Sequence, residues 1–192
     1  MQSGLYSNIK GQGEVIILLH GLLGSSENLG RVSTELSKSF EVHSLDLRNH
    51  GKSKHSDEMT YRLMSEDVIQ YMNERDIDIA SVLGHSMGGK VAMTLALNHS
   101  SRIDKLIIAD ISPVTYTAHH ELIFKGLFEL DSASLKTRAE ADKLLSSFVG
   151  ENGIRQFLLK NLTPSEDGYL KLKINLESIY RNYQNILDGI FE

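Results

Sequence analysis

The chain has 192 residues, of which 41% are hydrophobic, and its 25 acidic and 20 basic side chains leave a net charge of −5. This length and composition predict one globular domain, alone or with a small addition, and the negative balance argues against a nucleic-acid partner. The absence of cysteine excludes disulfides, thiolate metal sites and a cysteine nucleophile.

The predicted elements alternate between strands and helices. The first, Val15–Leu19, is an apolar run rich in β-branched residues, which is typical of a strand buried on both faces. Thr60 suits the N-cap of a helix that places Met64, Val68 and Met72 on one face. Further strands are predicted at residues 41–47, 79–83 and 106–109, and further helices at residues 28–40 and 91–97. This order predicts a parallel sheet with helices on both faces and a ligand site at the carboxyl ends of its strands.

After Val114 the patterns are helical and no buried strand is evident. Helices are predicted at residues 122–130, 139–148, 154–162 and 176–190, with a turn at residues 165–168. We therefore expect residues 1–114 to form the α/β core and residues 115–192 to form a helical cap. The longest apolar run is far shorter than the roughly 20 residues of a membrane helix, and the N-terminus lacks a signal-peptide pattern, so a soluble, cytoplasmic protein without a membrane partner is expected.

One serine lies between glycines at the junction of a predicted strand and a predicted helix. The stretch Gly84-His85-Ser86-Met87-Gly88 fits the pattern G-x-S-x-G. In a sharp strand-to-helix turn this pattern exposes the serine hydroxyl at the N-terminus of the helix, where free N–H groups favour negative charge. A glycine-rich helix start without chemistry gives the same pattern, but the strand before and the helix after favour a nucleophile at Ser86.

A second loop at the same sheet edge supplies the donors that such a nucleophile requires. The stretch His20-Gly21-Leu22-Leu23-Gly24 follows the first buried strand. An oxyanion hole needs two backbone N–H groups aimed at one point. We expect these donors to be Met87, the residue after the nucleophile, and Leu22.

These stretches carry a resemblance to a known family. HGLLGSSENLG, DLRNHGKS, GHSMGGKVAM, RIDKLIIADISPV and QFLLKNL, which span most of residues 15–162, resemble α/β-hydrolases. Within that superfamily, DLRNHGKS, ADISPV and QFLLKNL narrow the similarity to a subgroup of bacterial esterases and their mitochondrial relatives. The resemblance implies the α/β-hydrolase fold and hydrolysis of short acyl esters or thioesters, without a cofactor or metal. A non-catalytic ligand-binding relative, carbon–carbon bond hydrolysis and acyl transfer are the alternatives.

The resemblance also directs attention to an acid and a base. Asp110 ends the fourth predicted strand and matches a position at which relatives place the acid of the triad. A cap on the turn before Pro113 is the alternative for this aspartate. In DLRNHGKS we expect Asp46 and Arg48 to be structural, and we expect His50 and His55 to be solvated.

The sequence contains no evident candidate for the histidine base that would accept the serine proton. In the family it is a histidine after the last strand, and none of the eight histidines follows a strand beyond the predicted cap: His20, His43, His50, His55, His85, His99, His119 and His120. We therefore expect that the last core strands and the catalytic histidine are missing from this chain. An apolar sheet edge left uncovered would then favour association.

Overall fold

The computed structural model describes residues 3–190, and one mixed sheet forms its centre. The strands are β1 (Ser7–Lys10), β2 (Val15–Leu19), β3 (Glu41–Leu45), β4 (Ala80–His85) and β5 (Ile103–Ala109). Their spatial order is β1-β3-β2-β4-β5, and all neighbours are parallel except β1 and β3. The α/β architecture is confirmed, with the carboxyl ends of four parallel strands at one edge.

The antiparallel strand β1 was not predicted. Its sequence, Ser-Asn-Ile-Lys, has no apolar run, and its residues are half-buried or exposed. An edge strand needs backbone partners on one side only, and β1 obtains them from β3, so that a polar sequence suffices.

Helices cover both faces of the sheet, as the alternation of elements predicts. They are α1 (Gly30–Leu36), α2 (Tyr61–Glu74) and α3 (Met87–Asn98). In β2, Ile17 and Leu19 belong to the main core beneath α2 and α3, whereas Ile16 and Leu18 pack on the opposite face with Leu36 of α1. The period of two along the strand thus divides its side chains between the two layers. The predicted cap of α2 is confirmed, because the Thr60 hydroxyl accepts a hydrogen bond from the Leu63 N–H.

The chain after β5 is mostly helical. It contains α4 (Glu121–Ser132), α5 (Arg138–Leu145), α6 (Asn152–Leu159), α7 (Leu176–Arg181) and α8 (Tyr183–Leu187). No buried strand was expected here, and the two strands that occur, β6 (Leu162–Pro164) and β7 (Leu170–Leu172), form a short antiparallel hairpin of mostly half-buried or exposed residues. Strands of three residues are too short to give a period of two. The predicted turn is confirmed between them, with Gly168 at φ 83°.

The predicted helix at residues 176–190 is interrupted at Asn182, which separates α7 from α8. Across residues 3–190, none of the helices is both long enough and apolar enough to cross a membrane.

Candidate active site

Ser86 occupies the sharp turn between β4 and α3 that its sequence context predicts. Its backbone has φ 52° and ψ −123°, a conformation that is strained for a residue with a side chain. The Ser86 N–H donates to the Ala109 carbonyl of β5 at 3.0 Å, and the Ser86 carbonyl accepts from the Gly89 N–H at 2.8 Å. Hydrogen bonds on both sides therefore fix the strained turn at the N-terminus of α3.

The two flanking glycines are required by close approach of the backbone. A Cβ on Gly84 would lie 2.2 Å from the Gly88 carbonyl oxygen, and a Cβ on Gly88 would lie 2.4 Å from the Leu19 carbonyl oxygen. No side chain fits at either distance. The spacing G-x-S-x-G is thus explained by the crossing of β2, β4 and the first turn of α3.

The two expected donors of an oxyanion hole lie on either side of the turn at Ser86, Met87 at the start of α3 and Leu22 in the loop after β2. Met87 is the first residue of α3, so its N–H precedes the hydrogen-bond ladder of the helix. For the Leu22 N–H, the described part of the chain provides no hydrogen-bond acceptor. In the same peptide unit as that N–H, the Gly21 carbonyl accepts from the Gly24 N–H at 3.0 Å and from His20 Nδ1 at 2.8 Å.

Two buried histidines support this loop in their neutral form. His20 Nε2 accepts from the Leu47 N–H at 3.0 Å, which leaves its Nδ1–H to donate to Gly21. His50 Nε2 accepts from the Leu23 N–H at 3.1 Å, and its Nδ1–H donates to the Arg48 carbonyl at 2.9 Å. Burial lowers the pKa of His20 and lowers that of His50 to about 3. The expectation that His50 is solvated was therefore wrong, whereas His55 is exposed as expected.

The burial of His50 has a local cause. Asn49 has φ 66°, so the chain turns back after β3 and directs the ring of the next residue into the interior. The His20 and His50 rings meet edge to face with centroids 5.1 Å apart. Sequence alone gave no indication of this pairing, since the two residues are 30 positions apart.

One cavity of about 610 Å³ brings together the four residues singled out in the sequence, Ser86, Asp110, Leu22 and Met87. The chain after β5 contributes much of the opposite wall, largely with aromatic and aliphatic side chains: Tyr116, Phe157, Tyr183, Ile186 and Leu187. The cavity thus combines a small polar corner at the ends of β2, β4 and β5 with a broad apolar surface. Such a site suits a ligand that has one polar group and an apolar body.

Asp110 follows β5 at φ 58°, and its side chain is 90% exposed. Its nearest basic partner among the described residues is His85, with Nε2 to Oδ2 at 3.9 Å, which is beyond hydrogen-bond distance. The carboxylate therefore lines the cavity with its oxygens free to accept a hydrogen bond. In the described part of the chain, no N–H of the turn before Pro113 donates to Asp110, so the cap considered from the sequence lacks its hydrogen bond. The role of triad acid stays a prediction.

Two further histidines line the cavity from the chain before α4. His120 Nδ1 lies 2.6 Å from the Tyr183 hydroxyl, and His119 Nδ1 lies 2.9 Å from the Thr117 carbonyl. Burial lowers the pKa of His120 to about 4, which makes it a weak base near neutral pH. No group of three or more histidine and carboxylate side chains within residues 3–190 is arranged to hold a metal ion.

Asn161 is a buried side chain near the site that the sequence did not single out. Its Nδ2 donates to the Leu23 carbonyl at 2.8 Å, across 138 positions of sequence. A lone asparagine within QFLLKNL carries no spacing signal, so only the fold reveals this contact.

Comparisons with known proteins agree with this geometry. The family model described as alpha/beta hydrolase fold matches residues 14–165. A putative esterase/lipase of Haemophilus influenzae is 37% identical over 176 residues, which cover 91% of this chain and 60% of that protein. Esterase YbfF of Escherichia coli is 35% identical over 173 residues, which cover 90% of this chain and 66% of that protein. The chain belongs to the α/β-hydrolase family.

A solved structure shows the same fold over nearly the whole chain. The structure of a marine microorganism esterase is 39% identical, superimposes with a TM-score of 0.95, and covers 98% of this chain and 75% of that one. The chain thus spans between three fifths and two thirds of the length of the two curated relatives named above.

Proposed function

We propose that this chain carries the nucleophile and the oxyanion hole of a serine esterase that cleaves short acyl esters or thioesters. In this proposal residues 1–114 belong to the catalytic core and residues 115–192 to the cap. The single observation that carries the proposal is the strained turn at Ser86, which opens into the same cavity as the Leu22 and Met87 loops. The names of the esterase relatives point to the same chemistry.

The proposed reaction has two steps, each of which conserves atoms and charge. Ser86 Oγ attacks the acyl carbon while its proton passes to a histidine base, and the tetrahedral oxyanion accepts hydrogen bonds from the N–H groups of Leu22 and Met87. Collapse of this intermediate releases the alcohol or thiol with the proton and leaves an acyl-serine. Water then attacks the acyl-serine with the same base, giving the acid and free Ser86.

The proposal assigns the acid of the triad to Asp110, and it assigns the base to a histidine outside residues 1–192. His120 and His119 each direct one ring nitrogen at a neighbouring oxygen, and burial lowers the pKa of His120. His85 lines the same cavity as Ser86, but its ring forms no hydrogen bond with the Ser86 hydroxyl in the described part of the chain. The free exposure of the Asp110 carboxylate fits an acid whose imidazole partner comes from elsewhere.

The apolar wall of the cavity supports an apolar acyl group as the body of the substrate. Phe157, Ile186 and Leu187 face the corner that holds Ser86. Burial of each methylene against such a wall stabilises the complex by about 0.8 kcal/mol. A panel of p-nitrophenyl esters and acyl thioesters of increasing chain length would define the preferred acyl group.

A non-catalytic ligand-binding protein is the second candidate, and one observation favours it. Of the described residues, no imidazole is hydrogen-bonded to Ser86, so its hydroxyl has no base to take its proton. A binding protein would keep the cavity and lose the reactivity of the serine.

A fluorophosphonate probe separates the two candidates. The probe would be applied to the chain and to an extended protein, in which the chain is continued by the part of the E. coli relative that lies outside the match. We expect rapid labelling of the extended protein at Ser86, slow labelling of the chain alone, and none in either after Ser86→Ala. Absence of labelling in a folded extended protein would favour the binding protein. Equally rapid labelling of both would place the base within residues 1–192, and His119 and His120 would be substituted next.

A further inference from the structure

Three of the sequence motifs meet at one residue of the oxyanion loop. HGLLGS contributes Leu23, DLRNHGKS contributes His50, and QFLLKNL contributes Asn161. The proposed reaction uses neither His50 nor Asn161, yet both side chains are almost completely buried and both bond to the backbone of Leu23. Two motifs without a chemical role thus converge on the loop that holds a proposed donor.

Hydrogen bonds with these two side chains hold both the N–H and the carbonyl of Leu23. Its N–H donates to His50 Nε2 at 3.1 Å, and its carbonyl accepts from Asn161 Nδ2 at 2.8 Å. Leu23 has φ 57°, a left-handed conformation that is unfavourable for leucine by about 1–3 kcal/mol. The loop therefore does not adopt this shape by its own preference, and the surroundings must impose it.

The two hydrogen bonds on Leu23 also influence the position of the neighbouring Leu22 N–H. Leu22 and Leu23 share a planar peptide unit, and this unit joins at the Leu22 Cα to the unit that bears the Leu22 N–H. The next N–H, that of Gly24, donates back to the Gly21 carbonyl at 3.0 Å and closes the loop. The Gly21 carbonyl of that unit also accepts from His20 Nδ1 at 2.8 Å. We therefore expect that releasing either contact on Leu23 lets this residue relax toward the right-handed region and displaces the Leu22 N–H, without freeing it completely.

Asn161 is itself held by its own segment. Its N–H donates to the Leu158 carbonyl at 3.0 Å, and its carbonyl accepts from the Lys173 N–H at 2.8 Å. These bonds connect it to the end of α6 and to the residue after β7. The position of Asn161 therefore depends on the position of the chain after β5, which forms the opposite wall of the cavity.

We propose that Asn161 and His50 are positioning residues that hold the oxyanion loop, Asn161 from the chain after β5 and His50 from the loop after β3. Because Asn161 belongs to the mostly helical chain after β5, its hydrogen bond to Leu23 couples the packing of that chain over the cavity to the placement of the Leu22 N–H. The inference rests on the proposed esterase function for its effect on the reaction, but the hold on Leu23 is testable without any activity.

The first test measures the loop directly. Asn161→Asp keeps the shape of the side chain, removes the donor and faces the Leu23 carbonyl with a carboxylate oxygen, and Asn161→Leu removes the donor without adding charge. His50→Leu removes the acceptor, while His50→Gln retains an oxygen near the place of Nε2. Asn182→Asp is the matched control, because it removes donors to the Asp57 and Ser178 carbonyls at a place outside the cavity.

Amide hydrogen exchange of Leu23, compared with that of the β2 amides, is the readout. We expect Leu23 exchange to be faster by about tenfold or more in Asn161→Asp, Asn161→Leu and His50→Leu, and to be unchanged relative to β2 in Asn182→Asp and nearly so in His50→Gln. Unchanged Leu23 exchange in both Asn161 variants would overturn the proposal, even if the variants were less stable overall.

The second test measures the reaction in the extended protein. An oxyanion donor that is displaced rather than lost should lower kcat for p-nitrophenyl butyrate by about 10–100-fold while KM changes by less than about threefold. The same variants should show this split, and Asn182→Asp and His50→Gln should not. Faster Leu23 exchange with unchanged kcat, or an effect on KM alone, would overturn the positioning role. If the unsubstituted extended protein does not react at Ser86, the proposed function fails, and the exchange result alone decides whether the two side chains hold Leu23.

Discussion

At the residue scale, unusual backbone conformations collect at one edge of the sheet. Each of the four parallel strands is followed within a few residues by a non-glycine residue with positive φ: Leu23, Asn49, Ser86 and Asp110. Such conformations cost about 1–3 kcal/mol each and persist only where the surroundings fix them. Their concentration at the carboxyl ends of the strands coincides with the cavity, as expected of a site that is built before its ligand arrives.

Asp110 is predicted to orient the base of the extended protein. Asp110→Asn should lower ester turnover by about 10²–10⁴-fold without changing the fold, because the imidazole loses the charge that orients it. The matched control is Asp104→Asn on the exposed face of β5, which should leave turnover unchanged. Turnover and stability like those of the unsubstituted protein in Asp110→Asn would move the acid to another position.

His50 is predicted to make stability sensitive to acid. Burial lowers its pKa to about 3, whereas the unfolded chain titrates near 6.5. Below about pH 6.5 the unfolded state therefore binds a proton that the folded state refuses, so the free energy of unfolding falls as the pH falls. The contribution is about 1.4 kcal/mol per pH unit down to about pH 3, and it vanishes above about pH 6.5.

His50→Gln isolates this contribution, since glutamine does not titrate. Urea unfolding between pH 7 and pH 4 should show a slope that is shallower in His50→Gln by about 1.4 kcal/mol per pH unit. His20 faces His50 and is subject to the same burial, and a His20→Gln variant measured in parallel separates its contribution from that of His50. Parallel slopes would show that His50 takes up its proton with the same pKa in the folded and the unfolded protein.

At the element scale, Lys90 joins α3 to two distant segments. Its buried Nζ donates to the carbonyls of Val114 at 2.9 Å, Leu187 at 3.2 Å and Asp188 at 2.6 Å. The ammonium also lies 4.9 Å from the ring centroid of Tyr116. The helix that begins beside Ser86 is thereby tied to the loop after β5 and to the end of α8.

Lys90→Met is predicted to loosen this junction. Methionine retains the apolar stem but leaves three carbonyls without their donor, so we expect a loss of unfolding free energy on the order of 3 kcal/mol. The control is Lys105→Met, since Lys105 is largely exposed and pairs only with Asp104, and such surface changes cost about 0.5 kcal/mol or less. Equal losses in the two variants would show that the bonds of Lys90 contribute nothing beyond those of a surface lysine.

The elements that were predicted are those with a strong local signal. The apolar run of β2 and the capped, periodic helix α2 are confirmed with bounds close to those expected. The strand β1 and the hairpin of β6 and β7 escaped prediction because their residues gain their conformation from pairing partners and carry little pattern of their own. Such elements depend on tertiary context, which overrides propensity.

The candidate site also contains residues that the sequence predicted and residues that it did not. Residues near Ser86 were predictable because G-x-S-x-G and the His-Gly loop are local motifs. Their glycines are required where the backbone makes close contacts. The contacts of His50 and Asn161 with Leu23 were not predictable, since they join residues 27 and 138 positions apart. Whether a polar side chain is buried depends on the fold, and the neighbouring sequence does not predict it.

At the largest scale, β5 is the last strand of the sheet within residues 3–190, and it exposes apolar side chains to solvent. Leu106 and Ile107 are 41% and 44% exposed, and within residues 3–190 β5 pairs with β4 alone. An apolar strand with an unpaired edge is a template for association. The expectation that the chain associates through this edge therefore remains a prediction.

Ile107→Lys is predicted to weaken that association. A charge on β5 opposes edge pairing, so sedimentation at increasing concentration should show less self-association than for the unsubstituted chain. Leu122→Lys is the control, because Leu122 is an equally apolar, exposed side chain on α4, away from the sheet. Equal association in all three proteins would show that β5 is not the contact.

Ester turnover in the extended protein decides whether Ser86 is the nucleophile of an esterase. Initial rates with p-nitrophenyl butyrate would be measured for that protein and for Ser86→Ala, after circular dichroism has shown that both are folded. Without the nucleophile no acyl-serine forms, so we expect kcat to fall on the order of 10⁴-fold or more in Ser86→Ala. Turnover in Ser86→Ala within about tenfold of the unsubstituted rate would show that Ser86 is not the nucleophile.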